Sequence, residues 1–321
     1  MRTVFAFAVS GPTRSVMENF AAKRARDLMR VGDFDEACRI VEEQIECIGN
    51  DANAGDLWSL RFIRAEVLEA HGRVEEAIKY LESFASPDAE DIESGAALKM
   101  YRGSYSGFLG RYPTSHGLLC EAETLARDAA LLELLGNVYL SRAFIFFRQK
   151  DYVASDRLYR LALDLSEKVD GWYLRSHGLW GIGKNLMIQE HYKEAFPWLE
   201  NSLAIFEEAD ARLAVAMVWS ELAVCYLGVG DDGKAMELLR KAEKVNCKSG
   251  AIHNYQVVLA NIGNVYLHRR DYFTAISYYQ RALALAREIK DPVSVRKWTR
   301  NINLVYARIR LTVDQANPRI A

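Results

Sequence analysis

Apolar side chains recur along this chain at helical spacing, and small residues interrupt them at fixed places. Between Gln256 and Ala286 the large positions are Leu259, Ile262, Tyr266 and Tyr279, and the small ones are Gly263, Ala275 and Ala282. An acidic-aromatic pair, Asp271-Tyr272, separates the two halves. Two amphipathic helices joined by a tight turn satisfy that spacing. The same template returns every 40 residues toward the N-terminus. A chain built from one repeated helix pair stacks into a solenoid, because thirty-odd residues cannot bury their apolar face alone.

The repeats are expected near 15–50, 55–87, 95–130, 134–170, 173–210, 213–250 and 253–291, followed by a capping helix over 292–313. Residues 1–14 form an unassigned leader and 314–321 a frayed tail. The small slots hold Ala25 and Ala37, then Ala65 and Ala77, then Gly103, Ser115 and Ala122. From Ala143 onward the register is regular, through Ser155, Gly183, Ala195, Ala223 and Ala235. Gly32, Gly72, Gly110 and Gly230 fall at the end of a first helix, where the left-handed cap conformation suits glycine. The run from Ser86 to Gly95 is the strongest loop signal. GSYSGFLG, residues 103–110, packs three glycines into the third repeat's first helix, either as a flexible joint or for close helix contact. The capping helix is expected to turn a polar face, with Arg296, Lys297, Arg300, Arg308 and Arg310, to solvent.

Composition narrows the partner class. Half of the 321 residues are hydrophobic, so burial is ample, and 41 basic against 43 acidic residues leave a net charge of −2. That balance speaks against a nucleic-acid binder. The five cysteines, Cys38, Cys47, Cys120, Cys225 and Cys247, are scattered and form no CxxC unit, which suits a reducing compartment. The apolar run from Val4 to Val9 is shorter than a secretory core, and no run approaches the about 20 apolar residues of a membrane span. The expectation is a cytoplasmic protein with no membrane partner.

Leu259, Ile262, Gly263 and Tyr266, then Ala275, Tyr279 and Ala282, resemble the two halves of the tetratricopeptide repeat. Trp219, Leu222, Ala223 and Tyr226, then Ala235, Leu239 and Ala242, repeat the resemblance. It covers residues 15–313 and is clearest in the last four repeats; the 40-residue period is similar to bacterial arrays that sense peptides or precede signalling and protease domains. The resemblance implies an all-α, right-handed α-solenoid of about seven helix-turn-helix repeats, with a concave groove lined by the first helices. Carried over position by position, the partner-binding residues are Tyr101, His177, Lys184, Glu221, Asn261, Asn264, Lys297, Arg300 and Asn301, with Arg26, Glu66, Ser104 and Trp180 at equivalent places. Asparagine amides serve a peptide backbone, and the basic groups serve acidic side chains. No three consecutive repeats supply the Lys/Asn, Asn, Lys/Arg set by which relatives clamp a C-terminal carboxylate.

The chain spells other motifs that the repeat explains. Gly228 to Gly233 reads GxGxxG, but it falls in an inter-helix turn rather than after a strand. Gly181-Ile182-Gly183-Lys184 lies within a helix and lacks the rest of a phosphate loop. The six histidines contain no HExxH and no i,i+4 pair, and Tyr266, Tyr278, Tyr279, Phe146 and Phe147 follow core spacing. No catalytic residue, metal site or cofactor is expected. The reading is a non-enzymatic scaffold that holds a protein or peptide segment, acidic in character. The alternatives are a peptide-responsive sensor, or the regulatory partner of a separate catalytic domain such as a caspase-like protease.

Overall fold

The computed structural model describes residues 20–48, 54–169, 171–249, 251–289 and 291–316. Those residues form helices and their connections, with no strand among them. The helices fall into consecutive antiparallel pairs: α1 (Phe20–Val31) with α2 (Phe34–Ile48), α3 (Ala54–Ala70) with α4 (Val74–Glu82), α5 (Ile92–Phe108) with α6 (Tyr112–Asp128), and α7 (Leu132–Arg148) with α8 (Tyr152–Ser166). The series continues with α9 (Trp172–Ile188) and α10 (Tyr192–Glu208), α11 (Arg212–Gly228) and α12 (Asp232–Ser249), α13 (Ile252–His268) and α14 (Tyr272–Glu288), and the unpaired α15 (Pro292–Ala316). The leader lies outside the described residues, as does the tail beyond Ala316.

One turn device joins the helices within most pairs. The first helix ends in a left-handed residue, glycine at Gly32, Gly72, Gly110 and Gly230 and a long side chain at Lys150, Glu190 and Arg270. The chain then closes back on the helix, as where Asp33 N–H donates to the Leu28 carbonyl at 2.9 Å. Where an aspartate follows, it caps the second helix: Asp151 accepts from Ala154 N–H at 3.0 Å, Asp231 from Lys234 at 3.0 Å and Asp271 from Thr274 at 3.2 Å. Gly230, the middle glycine of the GxGxxG string, is such a turn residue at φ +87°, preceded by α11.

Small residues let the helices meet. Ala25, Ala37, Ala65, Ala77, Ala195, Ala235 and Ala275 are fully buried. A Cβ on Gly103 would stand 2.8 Å from Leu119, and one on Gly107 would stand 2.1 Å from Ile145. Helix α5 runs unbroken through both glycines, so they serve close approach rather than a joint. The loop before it is shorter than the Ser86–Gly95 run, because Asp91 accepts from Ser94 N–H at 3.0 Å and starts the helix at Ile92.

Two features depart from the sequence reading. The first pair does not end the array freely: it packs on the sixth pair. Ala22, Ala25, Met29 and Phe34 share a core with Leu213 and Ala251, and a Cβ on Gly32 would meet Ser249 at 2.6 Å. Arg30 lies 5.9 Å from the Trp172 ring centre. Helix α1 therefore touches α3 on one side and α11 on the other, closing one turn of the superhelix. At the other end, α15 shows solvent more than a polar face, since Leu304, Tyr306 and Leu311 are exposed along it.

Candidate partner-binding groove

The first helices of the pairs turn a row of polar and aromatic side chains inward, and closure of the superhelix buries much of it. Its two ends differ in charge. At one end Lys184 on α9 is 3 % exposed and donates from Nζ to Glu221 Oε1 on α11 at 2.8 Å. The ammonium also lies 4.5 Å from the Trp180 ring centre and 5.3 Å from that of Phe147. Burial pushes Lys184 down from its usual range, and the charge of Glu221 opposes that push. Lys184 and Glu221 were expected as separate groove ligands; the structure spends each on the other.

Lys297 on α15 is half-buried, with its ammonium 4.3 Å from the Trp298 ring centre. Burial first, and then the charge of Lys184, hold Lys297 down at about 8, while Asp291 acts in the opposite sense. Trp298 fixes α15 against α13 by donating Nε1–H to Gln256 Oε1 at 3.0 Å. Asn261 and Asn264 are half-buried on α13; Asn264 Nδ2 donates to Asn261 Oδ1 at 3.4 Å, and Asn264 Oδ1 accepts from the Tyr279 hydroxyl at 2.6 Å. Asn301 is half-buried and Arg300 exposed on α15.

The other end is acidic and phenolic. Tyr101 on α5 donates its hydroxyl to Glu66 on α3 and stacks on Phe62, with ring centres 4.7 Å apart. Glu69 follows Glu66 by three residues, on the same face of α3. It is 1 % exposed, and neither carboxylate oxygen has a hydrogen-bond partner. Burial raises Glu69 well above the carboxylate range, and Glu66 adds to the rise. Tyr105 on α5 and Tyr173 on α9 are buried with unpartnered hydroxyls. Burial raises both phenols, and the charges of Glu69 and Glu66 add to each.

His177 sits between the two ends. It is buried, its Nδ1–H donates to the Tyr173 carbonyl at 2.9 Å, and its ring lies 4.0 Å from that of Tyr173. Burial holds His177 down at about 4. Tyr101 and His177, expected to face a partner, are thus enclosed, whereas Asn261, Asn264, Lys297 and Asn301 retain partial access. Glu69, Tyr105, Tyr173 and Gln256 were missed. Helical spacing was the available signal, since Glu69 follows Glu66 by three and Tyr105 follows Tyr101 by four.

Among the described residues, no group of three or more His, Cys, Asp or Glu side chains is gathered to hold a metal, and no helix is long and apolar enough to cross a membrane.

Residues 122–290 match the family described as the intraflagellar transport protein 70 C-terminal domain. The tetratricopeptide repeat protein 30 homolog of Drosophila melanogaster is 27 % identical over 158 residues, which are 47 % of this chain and 23 % of the fly protein. The chain therefore spans about a quarter of that relative's length. The solved structure of a Rap protein complexed with Competence and Sporulation Factor superposes with a TM-score of 0.62 at 17 % identity, over 87 % of this chain and 78 % of that one. NprR in complex with its cognate peptide NprX gives a TM-score of 0.59 at 13 % identity, over 92 % and 90 %. At these identities the likeness is one of fold.

Proposed function

The chain belongs to the family of the intraflagellar transport protein 70 C-terminal domain, a tetratricopeptide-type family, and from that premise we propose that it is a non-enzymatic scaffold that holds an extended, acidic protein segment in its concave groove. The observation that carries this reading is Lys297, a half-buried ammonium 4.3 Å from the Trp298 ring centre. A carboxylate arriving from a partner would offset its lost hydration, so the free groove favours an anionic occupant. Asn261, Asn264 and Asn301 would hold its backbone, and Arg300 would meet further acidic side chains at the rim. The Rap and NprR structures hold Competence and Sporulation Factor and a cognate peptide respectively; here the same architecture would take a segment chosen by charge. The proposed compartment is the cytoplasm, where five unpaired thiols persist.

The test is fluorescence anisotropy with a labelled acidic decapeptide and its charge-reversed counterpart. The acidic peptide should bind at least tenfold tighter, and Lys297→Gln should remove most of that preference. Equal affinity for the two peptides, or an unchanged preference in Lys297→Gln, overturns the reading.

One observation favours a second reading, that of a sensor. The seat of α1–α2 on α11 and α12 is a contact between repeats far apart in sequence, and widening or tightening of the superhelix would alter it. Small-angle scattering with and without the acidic peptide should then show a changed radius of gyration; an unchanged radius removes the sensor.

A further inference from the structure

One large apolar slot of the repeat is filled by a cation. Four residues before the small slot of the first helix, later pairs place Leu179, Trp219 and Leu259; the second pair places Arg61, four before Ala65. The third pair also puts a base there, Lys99, but its second helix supplies the counter-charge, with Glu121 Oε2 2.5 Å from the ammonium. Glu121 lies six residues after the small slot Ser115, and six after Ala77 stands Ser83, which carries no charge. Helix α4 also stops after 9 residues, against 15 in α2 and 17 in α6, so Phe84 beyond its end covers the first turns of α3. The Arg61 guanidinium lies 3.9 Å from the Phe84 ring centre and 4.9 Å from that of Trp58. Tyr80 extends the aromatic box, its ring centre 5.1 Å from that of Phe84. The carboxylates of the flanking helices are engaged, Glu42 with Arg64 at 2.6 Å and Glu82 with Arg102 at 2.7 Å. Arg61 is half-buried, no carboxylate pairs with it among the described residues, and its Nε–H is buried without a hydrogen-bond partner. Burial also holds Arg61 below its usual range. A charged donor where the repeat asks for a large apolar side chain breaks the local rule, and such breaks collect at functional positions.

We propose that Arg61, in its box of Trp58, Phe84 and Tyr80, is a binding site for one oxyanion, a carboxylate or phosphate group. The aromatic faces hold the guanidinium plane in place, so little side-chain freedom is left to lose when its N–H edge meets an acceptor. An oxyanion makes charge-assisted hydrogen bonds there and supplies what Glu121 gives to Lys99. The Tyr80 hydroxyl is a second donor; burial raises this phenol, and the charges of Arg64 and Arg61 act against that rise. A cation would be repelled by Arg61 and by Arg64 one turn along α3, and a neutral apolar group would leave the buried Nε–H unmet. The site does not rest on the acidic-segment reading. Arg61 belongs to the second pair and Lys297 to α15, so Lys297→Gln should leave oxyanion binding at Arg61 unchanged.

Two sources carry this chemistry, a free small anion or an acidic or phosphorylated side chain of a bound segment, and separate arms resolve them. The full chain, with 15N in its arginines, is titrated with inorganic phosphate, with acetate, and with a short capped peptide bearing one phosphoserine or one glutamate. Sodium chloride at matched ionic strength is the control. The readout is the Nε–H resonance of Arg61, assigned by its absence from Arg61→Lys, with calorimetry for affinity. That resonance should shift saturably with at least one probe and should not shift with chloride. Arg61→Gln should weaken binding at least tenfold, and Tyr80→Phe should weaken it severalfold. A shift with phosphate or acetate identifies a free anion as sufficient, and a shift with a peptide alone identifies a side chain. The proposal is overturned if no probe moves the Arg61 resonance beyond the chloride control, or if Arg61→Gln binds as the native chain does. Loss of the shift in Lys297→Gln is equally fatal, since the anion would then sit in the groove. Should Arg61→Gln lose its native circular dichroism, the resonance of the native chain decides by itself.

Discussion

The interior of this solenoid holds two pairs of buried charged residues, and they are opposites. Lys184 and Glu221 come from neighbouring repeats and neutralise each other at 2.8 Å. Glu66 and Glu69 come from one helix; Glu66 accepts the Tyr101 hydroxyl, while Glu69 has no hydrogen-bond partner and is pushed toward its neutral form by burial and by the charge of Glu66. The first arrangement meets charge with charge across two repeats; the second sheds charge by favouring the protonated carboxyl. Position in the groove therefore does not decide the state of an ionisable residue; the group it faces does.

The contrast breaks most forcefully at Lys184. Lys184→Met should leave Glu221 buried and uncompensated and cost about 3–5 kcal/mol in urea denaturation, whereas Lys184→Met with Glu221→Leu should unfold close to the native midpoint. A double variant as unstable as the single one would mean that packing, rather than charge, holds this position. His177 sets the next scale. Its folded pKa of about 4 lies below the unfolded value, so its contribution is fully present above about pH 6.5 and is lost as pH falls toward 4. The loss should reach about 3 kcal/mol, and His177→Gln should flatten that part of the pH profile. Glu69 should behave with the reverse sign. A carboxyl whose folded pKa is raised weakens the fold increasingly as pH rises above about 4.3. Glu69→Gln should therefore stabilise the chain by about 1–3 kcal/mol at pH 7.5, with the gain shrinking toward pH 4. If the variant is less stable at pH 7.5, Glu69 is a satisfied structural acid and the contrast with Lys184 collapses.

Much of the architecture was legible because its causes are local. The alternation of large and small side chains every 40 residues marks helix pairs wherever it occurs. Asp151, Asp231 and Asp271 announce their helix starts, because a short carboxylate reaches the backbone N–H three residues on. Lys150, Glu190 and Arg270 were harder to see as left-handed turn residues, since nothing in their chemistry asks for that conformation and the surrounding pair imposes it. The groove was legible as a set of positions but not as a site. Asn261 and Asn264 on α13 and Lys297 on α15 keep partial access, while Tyr101, His177 and Lys184 are enclosed.

Periodicity, small slots and caps thus determine from sequence alone that the chain forms stacked helix pairs, since each depends on residues within one or two turns of one another. Which charges pair, which stay unmet, and that α1 closes on α11 are settled only when the superhelix completes a turn. Gly32 and Leu213 are 181 residues apart and meet because small rotations between successive pairs accumulate. That sum belongs to no single repeat, and the burial that makes Glu69 an unpartnered acid and Lys297 a depressed base follows from it.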